Sequence, residues 1–235
     1  MRRRGCQVAA TIALLVALAV GAVLASAPEY AFGGGGPGFG LLMPDLTEIN
    51  EFIGGVGFAP LGGDMFLVGG DGRGGLVPGM AFGGAGWGAW IESEHGNLHA
   101  EYGLGMGGFD LGFAVDGSER SVLTLGTLFG GGAVELILTE FPAFVHVGRT
   151  PRGIVVEPSR QTYDSVFAFV APYLDMQIQL LAWMGLGVRA GYLWVPFELN
   201  WSDEGPLDAP DLACSGLYVR LTLRFGGITD LRPQP

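Results

Sequence analysis

Three histidines limit the acid–base and metal chemistry available to this chain. His95 and His99 lie four residues apart, with Glu92, Glu94 and Glu101 around them. On a helix that spacing would turn both imidazoles to one face, toward a metal. Gly96-Asn97 lies between them, however, and that dipeptide is a hairpin signal. The metal candidates are therefore His95, His99, Glu94 and Glu101, gathered by a hairpin rather than a helix. The plainer reading is a polar turn, because a metal site needs three or four convergent ligands. His146 is the remaining histidine, so any nucleophilic triad must draw on one of these three.

Gly103-x-Gly105-x-x-Gly108 spells a dinucleotide fingerprint but falls within alternating apolar residues and opens no helix, so it fails its context. The acidic pairs Glu92/Glu94, Glu135/Glu140 and Asp203/Glu204 have the residue types of glycoside chemistry. In an acidic chain such pairs are usually solvated surface. The expectation is a non-enzymatic protein with no catalytic set and no cofactor.

The elements that must position these residues are strands. Between Tyr173 and Val195, Leu174, Met176, Ile178 and Leu180 alternate with Asp175, Gln177 and Gln179. After Trp183-Met184-Gly185 the alternation resumes, with Leu186, Val188, Ala190, Tyr192 and Trp194 against Gly187, Arg189 and Gly191. Period two means a strand with two unlike faces, and the short break makes the pair an antiparallel hairpin. Leu217, Val219, Leu221, Leu223 and Phe225 repeat the pattern against Tyr218, Arg220, Thr222 and Arg224. Shorter alternating runs lie at 65–68, 80–91, 98–106, 109–115, 121–129, 133–140 and 166–171. The glycine groups at 69–75, 107–108 and 130–132 read as turns between them. Several of these strands fall short of the ~9–11 residues that a membrane-spanning strand needs.

One helix is expected at 45–53, with Asp45 and Glu48 forming a capping-box-like pair and Gly54-Gly55 ending it. The stretch FGGGGPGFG at 32–40 lacks the lysine of a phosphate loop and reads as a flexible linker or turn. The chain thus divides into a secretory signal at 1–27, a glycine-rich segment with its helix at 28–62, an antiparallel β domain at 63–228 and a frayed tail at 229–235. In the signal, Arg2–Arg4 precede an apolar run, with cleavage after Ala25 or Ala27; a retained anchor is the alternative.

Glycine is extreme at 43 of 235 residues, without the collagen triplet. All 12 basic residues are arginine. Removing the three in the leader leaves nine against 23 acids, a balance of −14 that repels phosphate backbones and excludes nucleic acid as a partner. With Cys6 in the leader, Cys214 is alone and forms no intrachain disulfide.

The fold expected is all-β with one short helix, an antiparallel glycine-rich barrel of about 8–10 strands, since no helical crossovers exist for parallel pairing. A soluble β-sandwich is the alternative. The hairpin LLAWMGLGVRAGYLW and the closing YVRLTLRF resemble bacterial outer-membrane β-barrel proteins; the resemblance covers the C-terminal quarter and names no single family. It implies an exported envelope protein, structural or a minor barrel, partnered by the outer membrane. A soluble exported sandwich that binds ligand or self-associates through sheet edges is the second reading, and a secreted hydrolase the third. Alternation alone does not say whether the apolar face of Leu174, Met176, Ile178, Leu180, Val219, Leu221, Leu223 and Phe225 meets lipid or a protein core.

Overall fold

The computed structural model describes residues 30–77, 79–141, 158–199 and 212–230. The signal segment, the terminal tail beyond 230, His146 and the pair Asp203/Glu204 lie outside the described residues.

Eight strands close into one antiparallel barrel. They are β2 (Gly34–Pro44), β3 (Met65–Val77), β4 (Met80–His95), β5 (Leu98–Gly117), β6 (Ser121–Glu140), β7 (Ser159–Leu181), β8 (Met184–Leu199) and β9 (Gly216–Phe225). Each pairs with its sequence neighbour, and β9 returns to β2. Two short strands, β1 (Tyr30–Phe32) and β10 (Ile228–Asp230), pair with each other where the two described chain ends meet. The sandwich alternative is therefore not the fold: the eight strands form one closed sheet, not two packed layers. Closure also removes the free edges on which edge-to-edge self-association would depend.

Three readings are corrected. The glycine stretch at 32–40 is no linker; most of it is strand β2, so the barrel begins at Gly34 and not at 63. GGDGRGG at 69–75 is no turn but the middle of β3. The glycines at 107–108 and 130–132 interrupt nothing. They face each other in register, Gly107 opposite Gly131 and Gly108 opposite Gly130, inside two 20-residue strands. Barrel strands consequently run from 10 to 23 residues, long enough to span a membrane.

The turn expected at Gly96-Asn97 is present, while the one expected at Trp183-Met184-Gly185 falls at Ala182-Trp183, with Met184 already in β8. Gly96 has φ +63°, a left-handed value natural to glycine and strained for most other residues. The connections at the two ends differ sharply. At the end shared with β1 and β10 they span only residues 78–79, 118–120 and 182–183. At the other end, besides the 96–97 turn, they span 45–64, 141–158 and 200–215.

The helix α1 (Thr47–Gly55) lies in the first of these longer connections. Its capping differs in detail from expectation. The Asp45 carboxylate accepts bonds from the Thr47 backbone N–H (3.2 Å) and hydroxyl (2.7 Å), while the N-cap position itself is Leu46, which has no capping side chain, and Glu48 returns no bond among the described residues. Those two donors hold the Asp45 carboxyl below its ordinary range. The apolar face of α1, Ile49 and Ile53, is fully buried with Leu46 and Leu61 against barrel residues Leu42, Met65, Tyr102 and Leu136. Asn50 fastens the helix by exchanging two bonds with the Leu61 backbone, at 2.9 and 2.7 Å. The helix therefore seals one mouth of the barrel.

Candidate functional site: the barrel lumen

Alternation gives every strand one face toward the lumen and one away from it. Leu174 is 48 % exposed while its neighbour Asp175 is fully buried. Met176, Leu180, Leu217, Val219, Leu223 and Phe225 are likewise exposed, and Ile178 and Leu221 share their outward face at intermediate exposure. The apolar face singled out from sequence therefore points outward. The polar face points in, and Asp71, Arg73, Asp110, Asp175, Gln177, Arg189, Arg220, Thr222 and Arg224 are all buried.

The lumen is layered. Under α1 it is apolar, filled by Leu67, Leu104, Leu136 and Phe167 among others. Below that lies an ionic layer. Asp175 sits at its centre and takes bonds from three guanidiniums. Arg224 reaches both of its oxygens (2.7 and 2.8 Å), Arg189 donates through Nε at 3.2 Å, and Arg73 pairs with Oδ2. Arg189 also lies 2.8 Å from Asp110 and 3.6 Å from Asp71, and Arg224 reaches Asp71 at 3.4 Å. The Tyr173 hydroxyl donates to Asp110, and its ring carries the Arg189 guanidinium 3.8 Å from the centroid. Phe32, with Ala81, Ala114 and Val122, closes the floor beneath Arg73.

Large inward side chains fit because small ones oppose them, the usual way to fill a narrow barrel. A Cβ on Gly187 would lie 2.6 Å from Arg224 Cζ, one on Gly191 would lie 2.7 Å from Tyr218 Cζ, and one on Gly38 would lie 2.8 Å from Trp87 Cη2. Outward glycines behave differently. Gly103 and Gly105, two members of the GxGxxG, face open space on β5.

Sequence reasoning missed the lumen charges as a site. A signal was present: Asp71 and Arg73, like Arg220 and Arg224, occupy alternate positions of one strand face.

The metal candidates are only partly brought together. His99 Nδ1 lies 3.3 Å from Glu94 Oε1, directly across the hairpin. His95 pairs with Leu98, and Glu101 faces Glu92. Among the described residues no three His, Cys, Asp or Glu side chains converge as metal ligands. Glu135 opposes Gly103 on one side and Asp164 on the other. Cys214 is buried beside the Tyr102 hydroxyl at 3.4 Å, and that burial pushes its thiol up from the ordinary range.

No family model matches the chain, and no curated protein matches it. Among solved structures it is similar to Ail, the attachment invasion locus protein of Yersinia pestis, at 10 % identity and a TM-score of 0.39, over 86 % of this chain and 99 % of that one. It is similar also to Ail in complex with the heparin analogue sucrose octasulfate, at 11 % identity and a TM-score of 0.41, with the same coverage.

Proposed function

We propose that the chain is a small transmembrane barrel of a bacterial outer membrane, with a structural rather than a catalytic or pore-forming role. The observation that carries this is the inversion of its two faces. Large apolar side chains cover the outside, while seven charged residues are buried in the lumen. A protein dissolved in water gains by the opposite arrangement, whereas lipid rewards this one. From Leu217 to Phe225 the outward apolar run of β9 covers eight residue steps, which at ~3.4 Å per step and ~40° tilt gives a band about 20 Å tall. Trp183 stacks on Phe225 at the short-turn end, with ring centroids 6.1 Å apart, as suits an interfacial aromatic.

Short turns at one end and longer connections at the other match the periplasmic and outer sides of such barrels. On that reading α1 plugs the outer mouth. The floor residues, the ionic layer and the apolar layer fill the lumen from end to end, which argues against a standing pore.

Phase partition of the exported chain tests membrane residence: recovery with the detergent phase is expected, and full recovery in water overturns the reading. Planar-bilayer recording tests the closed lumen. The expected trace lacks steady conductance, and a stable open level would make the chain a channel.

A further inference from the structure

Among the described residues the lumen buries four guanidiniums, Arg73, Arg189, Arg220 and Arg224, and three carboxylates, Asp71, Asp110 and Asp175. The layer therefore carries one positive charge more than its own acids neutralise. Arg73, Arg189 and Arg224 each form an ion pair with at least one aspartate. Arg220 forms none among the described residues. Its guanidinium lies over two rings, 4.3 Å from the centroid of Trp87 and 4.9 Å from that of Tyr218.

Ring faces satisfy the plane of a guanidinium and leave its N–H edge unmet. Arg220 is 1 % exposed, and its Nε and Nη2 donate to no acceptor among the described residues. Two further donors on these rings, the Trp87 indole N–H and the Tyr218 hydroxyl, are also without an acceptor among the described residues. Buried donors strongly favour finding partners, and a buried cation favours a countercharge above all. Water supplies an acceptor without the charge.

We propose that the lumen binds one small inorganic monoanion of the halide class at Arg220, with the Tyr218 hydroxyl and the Trp87 indole N–H as neutral donors. The site depends on the lumen alone, so it stands or falls separately from membrane residence.

The test uses the full chain refolded in a neutral detergent, melted in sodium chloride and in sodium gluconate of equal ionic strength. Stabilisation by a bound anion is expected to raise the melting temperature in chloride by about 2–4 °C, and Arg220→Gln is expected to abolish the difference. Equal melting in the two salts overturns the proposal, as does an undiminished difference in R220Q. Should R220Q not refold, bromide soaked into crystals of the unaltered protein decides. An anomalous peak within bonding reach of Arg220 Nε supports the site, and the lack of a peak there overturns it.

Discussion

Arg224 on β9 and Asp175 on β7 form a two-pronged ion pair, Nη2 to Oδ1 at 2.7 Å and Nη1 to Oδ2 at 2.8 Å, although β8 runs between their strands. Gly187 on β8 lets them meet, because the arginine passes over it where a Cβ would stand 2.6 Å from Cζ. Gly187→Ala should therefore destabilise the barrel by roughly 1–3 kcal/mol through overpacking. Gly105→Ala is the matched control. It also lies in a strand, but with open space around it, and should be neutral or slightly stabilising. Urea unfolding midpoints of the two variants check the contrast; equal effects would remove the role assigned to Gly187.

Asp175 neutralises more of the lumen than any other described carboxylate, taking bonds from Arg73, Arg189 and Arg224. Asp175→Asn keeps the shape but leaves three guanidiniums short of countercharge. Removing one partner of a buried ion pair typically costs ~3–5 kcal/mol, and that is the expected loss. Asp64→Asn, at an exposed position just before β3, should change stability by no more than ~0.5 kcal/mol. Both values can be read from equilibrium unfolding in detergent.

Much of this fold was legible in the sequence where strands carried bulky side chains. Leu174 to Leu180 and Leu217 to Phe225 showed period two, and the structure keeps that register. Legibility failed where glycine replaced the bulky partner. At 69–75 both faces of β3 are small apart from Asp71 and Arg73, so the stretch looked like a turn. The reason for so much glycine lies on nearby strands, in Trp87, Tyr218 and Arg224, and no local window contains those residues. Face orientation was illegible for a different reason. Alternation is the same whether its apolar half meets lipid or a core, and only closure of the sheet with Asp175 inside separates the two.

Cys214 precedes β9 at the plugged end, buried against Tyr102. Burial disfavours the thiolate, and only the thiolate attacks maleimide. Labelling at pH 8 should be slow in the folded barrel and rise at least about tenfold on unfolding, measured by mass spectrometry. Fast labelling of the folded form would mean that the seal formed by α1, Leu212 and Tyr102 opens readily.

The outward face of β7 allows a graded test of its surroundings. Its apolar run extends from Val166 to Leu180, which places Leu174 near the middle and Leu180 beside the short turn. In lipid, an arginine at mid-depth costs ~2–4 kcal/mol and one near the interface ~0–1. Leu174→Arg should therefore destabilise the barrel in bilayers by the larger amount and Leu180→Arg by the smaller. In water both sites are exposed positions where a charge changes stability by ~0.5 kcal/mol or less. Folding equilibria of the two variants in lipid vesicles supply the comparison. A depth-dependent penalty identifies lipid as the solvent of this face, and two small, equal effects would return the barrel to water.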